Sequence, residues 1–470
     1  MSVSVNKMKE IEAGTGLSVE VMVHLAAEAI ANYLMRREPK DKVFIFLAGK
    51  GNNGNDAIEA YKLMKEAGYH ALVTLVDNTD QRGVKKEDLV DLFEYPMDGE
   101  TVIVDGIYGF SYHGRLKDEV RKITQYLNSS KVMIYSIDIN SGASADKDEW
   151  DEDAVKSDIT LALEKKKYFH DKSKEHGLFR ECVVLPLGFD KDNVSDTYEM
   201  SEKEFLRHFP PRSVNAYKGS EGKCMLMGGS LGMAGAVGLN IIGAKSVGSS
   251  FIHVGLEEGI YPIVANRFLT PVYHLLDKSF KLLKVDSLAF GSGCTNMVDK
   301  TYWLHKVLES DIPCVIDAAG INLLQYDTEA LKVDKPLIMT PHVMEFSRVS
   351  GLSVEEISKD RIGCATSFAK AYKCVVVLKG AHTIVAGPKG ELYINQTGNQ
   401  GLAQAGSGDV LTGMITGLLA RVKEPFVSAC MGVWFHGYLA DMMSKDHSLV
   451  TLPLEEMVTY ADQFFKKFSR

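Results

Sequence analysis

Lys42–Ala48 (KVFIFLA) runs apolar without alternation and stops abruptly on Gly49-Lys50-Gly51-Asn52-Asn53-Gly54. A strand that is apolar on both faces needs a covering layer on each side. The glycine-rich turn and the helical pattern that follows, from Asn55 to Ala67, send the chain into one of those layers. The unit recurs: Ala71–Val76, Val102–Asp105, Val132–Asp138 and Ile159–Leu163 read as further strands separated by helix-length spacers. This predicts an α/β fold with a mainly parallel, doubly wound sheet. The polar stretch 190–213 carries Pro210, Pro211 and one short helical pattern over Ser201–His208, and is expected to separate domains 1–199 and 200–470.

The pattern then restarts. Lys223–Met227 reads as a strand, Gly228-Gly229-Ser230 as a turn and Ala234–Val247 as a helix. Ser287–Phe290, Pro313–Asp317, Pro336–Met339 and Cys374–Leu378 read as central strands. Thr383–Ala386 and Glu391–Ile394 flank Gly387-Pro388-Lys389-Gly390, a hairpin signature. Helices over Asp409–Arg421, Pro425–Met443 and Leu454–Phe468 are expected to close the chain.

A net charge of −9 without a basic stripe argues against nucleic acid as a partner. No apolar run approaches the length of a membrane span, and no basic-then-apolar leader pattern opens the chain. The seven cysteines are scattered, mostly in apolar runs, and read as free thiols. A cytoplasmic, homo-oligomeric protein is the expectation.

Two stretches carry chemistry. The first is the Gly49–Gly54 loop. As a bare G-x-G-x-x-G followed by Asp77 it would suit a dinucleotide. Asp56 in the first helical turn would, however, repel a pyrophosphate laid there. Asn53, Asp56, Asp105, Asp138 and Ser141 all fall at carboxyl ends of expected strands, where ligands of parallel sheets bind. Such an oxygen-rich set suits a hard cation, although each acid taken singly reads as a helix cap. The second is Asn399-Gln400-Gly401-Leu402-Ala403-Gln404-Ala405-Gly406-Ser407-Gly408-Asp409. Its small residues open a long helix expected to begin at Gly408, and exposed amides at a helix N-terminus bind anions. A carboxylate beside such a nest is disfavoured unless it works as a base or substrate anchor.

Gly-Lys-Gly-Asn-Asn-Gly-Asn-Asp, Val104-Asp105-Gly106-Ile107-Tyr108-Gly109 and Ser136-Ile137-Asp138-Ile139-Asn140-Ser141-Gly142 resemble, in that order, the NAD(P)H-hydrate epimerase domain over roughly residues 1–190. The resemblance implies a Rossmann-like three-layer α/β/α sandwich, with potassium held by Asn53, Asp105 and Ser141. It also implies a hydrate pocket lined by Asn52, Asn53, Gly54, Asn55, Asp56, Gly109, Phe110, Ser111, Tyr112, His113, Gly114, Arg115 and a catalytic Asp138. Asn55, Ala57 and Phe110 depart from the family pattern inside ligand loops, which implies an epimerase that is weakened or lost.

Over roughly 205–465 the chain is similar to the ADP- or ATP-dependent NAD(P)H-hydrate dehydratases, which have a ribokinase-like α/β/α fold. The carriers are Tyr217-Lys218-Gly219, Gly228-Gly229-Ser230, Phe290-Gly291-Ser292-Gly293, Val315–Asn322, Thr340–Glu345, Leu378–Thr383, the Asn399–Gly413 stretch and His436-Gly437. The resemblance implies a nucleotide site of Lys379, Gly380, Ala381, His382, Thr383, Asn399, Gly401, Ala403, Ala405, Gly406, Ser407 and Gly408. It places the hydrate against Ala236, Gly293, His342, Val343, Met344, Glu345, Phe346, Ser347, Arg348 and a catalytic Asp409. ADP or ATP, magnesium and potassium are the implied cofactors, and NADHX and NADPHX (the hydrated forms of NADH and NADPH) the substrates. The alternative is a ribokinase-like small-molecule kinase with a non-catalytic N-terminal binding module.

Overall fold

The computed structural model describes residues 2–76, 82–147, 149–171, 177–190, 196–209 and 211–468. Asp77 and Pro210 lie outside the described residues. The chain divides into two compact units, 1–197 and 198–470.

In the first unit the main-sheet strands and the longer helices are α1 (Val5–Gly14), α2 (Val19–Arg37), β1 (Val43–Ala48), α3 (Asn52–Glu66), β2 (His70–Leu75), β3 (Thr101–Gly106), α4 (Asp118–Ser129), β4 (Met133–Ile137), β5 (Ser157–Leu163) and β6 (Phe179–Leu185), beside a small parallel pair Ser2–Val3/Lys166–Lys167. The six strands lie in the order β2-β1-β3-β4-β5-β6 and every pairing is parallel. One face packs Phe44 and Phe46 against Ala27, Ile30 and Leu34 of α2 and Ile58 and Tyr61 of α3. The other packs Ile45, Leu47 and Ile103 against Val120, Ile123 and Leu127 of α4. Strand order reverses between β1 and β3, which opens the crevice where open α/β sheets bind ligands.

In the second unit the elements that matter are β7 (Lys223–Met227), α5 (Ala234–Ser246), β8 (Phe251–Leu256), β9 (Val272–Leu275), β10 (Ser287–Phe290), β11 (Cys314–Ile316), α6 (Ala318–Leu324), β12 (Leu337–Met339), α7 (Val343–Ser350), β13 (Val375–Leu378), β14 (Ile384–Ala386), β15 (Leu392–Ile394), α8 (Ser407–Val422), α9 (Pro425–Met443) and α10 (Met457–Lys466). Nine strands lie in the order β9-β8-β7-β10-β11-β12-β13-β14-β15. They are parallel up to β13, and the β14–β15 hairpin is antiparallel.

The switch point here falls between β7 and β10. Helix α8 is held over it by backbone contact with α5. A Cβ on Gly243 would sit 2.0 Å from the Val410 carbonyl, and one on Gly413 2.0 Å from that of Asn240. Any side chain at either position would push the α8 N-terminus off the site.

The sequence reading left β6, β8 and β9 unassigned. β9 is a sheet edge with half-exposed side chains, so the continuous burial that marks the central strands is missing. The last helix begins at Met457, after a 3-10 turn over Leu454–Glu456. Five cysteines are buried, and Cys182 and Cys364 are half-buried; all seven are free. No single helix among the described residues is long and apolar enough to cross a membrane.

Candidate functional site

The crevice at the β1/β3 switch holds a cavity of about 490 Å³. Asn52, Asn53, Asp56, Gly109, Phe110, Ser111, Tyr112 and Asp138 line it, with Met8 and Glu12 of α1 and Val19, Met22 and Val23 of α2. Gly54 lies behind the wall: its added Cβ would fall 1.9 Å from the Gly49 carbonyl, so it sets the tight strand-to-helix turn. Asn55 is turned away from the cavity and accepts a hydrogen bond from Arg82 Nη1 (2.7 Å). His113, Gly114 and Arg115 are exposed beyond Tyr112 and do not line the cavity. Eight of the thirteen expected pocket residues thus line the cavity, and these five do not. The side chain that Asn55 adds does not line the cavity.

Asp105 is fully buried and no ion pair reaches it among the described residues. Its carboxylate accepts from Ile107 N, Ser136 Oγ, Ser141 N and Ser141 Oγ (2.6–3.2 Å). Burial pushes its pKa up and these hydrogen bonds oppose the shift. Asn53 Nδ2 donates to the Tyr108 and Ile137 carbonyls (2.9 and 3.1 Å). A buried carboxylate without a counter-charge, a hydroxyl and two carbonyls make a donor set that fits a monovalent cation.

Asp138 takes φ of +62°, a conformation that costs a non-glycine residue free energy and persists where the surroundings enforce it. The enforcement comes from residues the sequence reading missed. Lys167 Nζ, 1% exposed, pairs with Asp138 Oδ1 at 2.5 Å. His170 Nε2 donates to the Asp138 carbonyl (2.7 Å) while its Nδ1 accepts from Lys167 N. Burial lowers the His170 pKa to about 4, so the ring is neutral. Asp56 is buried, faces the cavity and has no hydrogen-bond partner among the described residues. Burial, then Asp138 and Glu12, raise its pKa well above the carboxylate range.

In the second unit, Lys379 follows β13 and its ammonium lies 3.2 Å from where a Cβ on Gly408 would sit. It pairs with Asp317 Oδ1 at 2.9 Å and stands 3.9 Å from Glu345 Oε2. Burial alone would lower the Lys379 pKa, but Asp317 and Glu345 outweigh it and the net shift is upward. Helix α8 starts at Ser407, one residue before the expected start, and Gly406 is its N-cap at φ +94° with no side-chain cap. The first-turn amides are thus free of side-chain partners and face the lysine end of β13. Asp409 sits on that turn. Burial, then the Asp317 charge, raise its pKa to about 6.

Thr383 Oγ1 donates to the Gly380 carbonyl, and the Ala381 carbonyl accepts from Arg361 Nη1 (2.8 and 3.0 Å). His382 takes φ of +48°. Asn399 caps the short turn before Ala403 by accepting from Gly401 N, and donates to Asp441 (both 3.0 Å). The loop then passes exposed Ala405 into buried Ser407. Ala236 and Gly293 touch: a Cβ on Gly293 would lie 2.7 Å from that of Ala236.

His342 caps α7, its Nδ1 accepting from Met344 N and Glu345 N, so Nε2 carries the proton. Half-buried Val343 and exposed Met344 occupy the first turn beside it. Three of the residues expected at the hydrate have partners within the fold. Phe346 is fully buried against Phe368, Ser347 donates to the Leu352 carbonyl (2.6 Å), and Arg348 reaches Asn322 (2.8 Å). His436 is buried on α9 without a partner for Nε2, and burial lowers its pKa to about 4.

Gly406→Ala is expected to destabilise this unit by about 1–2 kcal/mol, the cost of a left-handed non-glycine residue. The new methyl would also meet Leu239 Cδ1 at 2.3 Å. A lowered thermal midpoint together with weaker binding in a nucleotide titration is the expected result.

Comparison with known proteins gives the following. A family model described as NAD(P)H-hydrate dehydratase matches residues 224–461, and one described as YjeF-related protein N-terminus matches residues 19–168. The bifunctional NAD(P)H-hydrate repair enzyme Nnr of Coxiella burnetii is 29% identical, covering 94% of each chain. The ADP-dependent (S)-NAD(P)H-hydrate dehydratase of Bacillus subtilis is 30% identical over 57% of this chain and 98% of its own. Among solved structures, the Bacillus subtilis ADP/ATP-dependent NAD(P)H-hydrate dehydratase, co-crystallised with ATP and Mg2+, superposes with a TM-score of 0.53 at 31% identity, over the same 57% and 98%.

Proposed function

This chain belongs to the NAD(P)H-hydrate dehydratase family, with a YjeF-related domain ahead of the dehydratase domain, and on that premise we propose that it repairs hydrated NADH and NADPH. The second unit dehydrates the S hydrate at the expense of ADP or ATP, and the first interconverts the R and S hydrates. The observation that carries the reading is the juxtaposition of Lys379, the uncapped α8 N-terminus and Asp409.

Hydroxide is a poor leaving group, so the ring hydroxyl is first made into a phosphate ester. Asp409 takes the hydroxyl proton as the oxygen attacks the terminal phosphorus of the nucleotide, and the bond from that phosphorus to the nucleotide breaks. Lys379 and the first-turn amides of α8 take up charge on the phosphoryl oxygens. The ring nitrogen then expels inorganic phosphate, and loss of the adjacent ring proton restores the double bond of the reduced nicotinamide.

No cluster of three or more acidic, histidine or cysteine side chains able to hold a metal ion occurs among the described residues. Magnesium bound with the nucleotide would be held largely by the phosphates and water and would supply charge neutralisation there. In the first unit Asn53, Asp105 and Ser141 would hold potassium, and Asp138 handles the proton of the hydrate.

The test supplies full-length protein with pure S or pure R hydrate, magnesium and ADP or ATP, and follows the near-ultraviolet absorbance of reduced nicotinamide. Recovery from S hydrate only when nucleotide is present supports the dehydratase. A stable phosphorylated alcohol in its place overturns it in favour of a kinase. Recovery from R hydrate requires the epimerase, and Asp138→Asn is expected to abolish that route while leaving the S route intact.

A further inference from the structure

Asp317 has no role in the scheme above, yet more bonds converge on it than on any residue of the phosphoryl site just described. It is 1% exposed. Oδ1 accepts from Lys379 Nζ (2.9 Å) and Thr340 Oγ1 (2.8 Å). Oδ2 accepts from Ser292 Oγ (3.2 Å). Ser292 Oγ in turn accepts from Asn240 Nδ2 (3.1 Å), and the same amide donates to the Asp409 carbonyl (2.7 Å). Thr340, Ser292 and Asn240 are buried as completely as Asp317.

The chain of bonds thus starts at the phosphate-binding lysine after β13 and crosses the ends of β11 and β10. It passes through α5 and finishes on the first turn of α8, at the backbone of Asp409. Asp317 stands at the N-cap position of α6, yet its side chain makes no capping hydrogen bond.

We propose that Asp317 is a positioning residue for the phosphoryl transfer: it fixes the Lys379 ammonium at the α8 N-terminus and, through Ser292 and Asn240, holds the Asp409 turn in register with that ammonium. The proposal rests on the dehydratase reading of this unit. Its geometric consequence is that cation and base keep one separation whether or not a ligand is bound, which is the preorganisation that phosphoryl transfer needs. Its electrostatic consequence is that the Asp317 charge helps keep Asp409 a competent base. The charged groups that face Asp409 are Asp317, Lys379 and Glu345, and the single Ser292 hydroxyl proton is shared between the Asp317 and Asp409 carboxylates.

Two full-length variants test it, read by S-hydrate turnover across the acid and neutral range. Asp317→Asn keeps the shape and removes the charge. It is expected to lower kcat by about 10²-fold, the size of a small misplacement at a reacting centre, with little change in KM for the hydrate. The acid limb of its kcat/KM profile should move below the wild-type position near 6, because a charge that raises the Asp409 pKa is gone. Ser292→Ala cuts the link and removes a bond that favours ionised Asp409, so its limb should move above the wild-type position. A purely structural role would move neither limb, or both the same way. Wild-type protein without turnover sinks the dehydratase reading itself. Wild-type turnover with unmoved limbs and kcat within about threefold sinks the positioning role. If Asp317→Asn does not fold, the direction of the Ser292→Ala shift alone decides.

Discussion

Asp409→Asn is expected to lower the dehydration rate by about 10²–10⁴-fold, the usual contribution of a positioned general base, while the variant still binds nucleotide. Asparagine keeps the first-turn geometry of α8 and cannot accept the hydroxyl proton. In the wild type the carboxylate must be ionised to act, so kcat/KM rises with pH through about 6 and then levels. The same group has the opposite effect on stability. Its pKa is raised from 3.8 in the free state to about 6 in the folded one, chiefly by burial. The folded chain therefore holds a proton that the unfolded chain has lost, and the stability this gives is complete below 3.8 and disappears as pH rises through about 6. At neutral pH the ionised carboxylate costs about 2–3 kcal/mol. Asp409→Asn should accordingly melt above the wild type at neutral pH, with the gap closing below pH 3.8. An inactive variant that is also less stable at neutral pH would mean that Asp409 is a structural cap.

The sequence makes the two switch-point loops legible, for a physical reason. Gly54 and Gly406 stand where backbone meets backbone or φ turns positive, and only glycine meets those demands cheaply. A strand followed by such glycines therefore announces its own geometry. Apolar runs announce the central strands equally well, because a strand buried on both faces cannot alternate.

What the sequence cannot display is the face of a helix on which a neighbour falls. Asn55 lies between Asn53 and Asp56 in the chain, but one residue of helix rotation from Asp56 carries it out to Arg82. Glu345 and Phe346 are adjacent and both buried on α7, yet Glu345 turns to Lys379 while Phe346 turns to Phe368. Nor can it display partners brought in from afar. Asp317 meets Lys379 across 62 residues, and Asn240 meets Asp409 across 169. The Lys167–Asp138 pair is a buried ion pair whose lysine lies in a run, Lys165–Lys167, that reads as solvated surface.

Lys379→Met should disable this site in two separable ways. Methionine fills nearly the same volume and offers no charge. Nucleotide affinity then falls, because the cation nearest the α8 N-terminus is gone and three acids (Asp317, Glu345 and Asp409) still face the phosphates. Stability falls as well, because Asp317 and Glu345 are 1% and 5% exposed and lose the ammonium between them. Removing one partner of a buried pair costs about 3–5 kcal/mol, more than the pair contributes in the intact protein. The stranded carboxylates can recover part of that loss by taking up protons, so the deficit should shrink as the pH is lowered. A second substitution separates the two effects. In Lys379→Met/Asp317→Asn the net charge of the site returns to its wild-type value, with Glu345 and Asp409 the remaining acids, so the melting temperature should return more than halfway to the wild type while nucleotide binding and turnover remain lost. A double variant no more stable than the single one would show that packing of the lysine stem, and not its charge, holds this end of the sheet. A single variant that binds nucleotide as the wild type does would remove Lys379 from the phosphate site altogether.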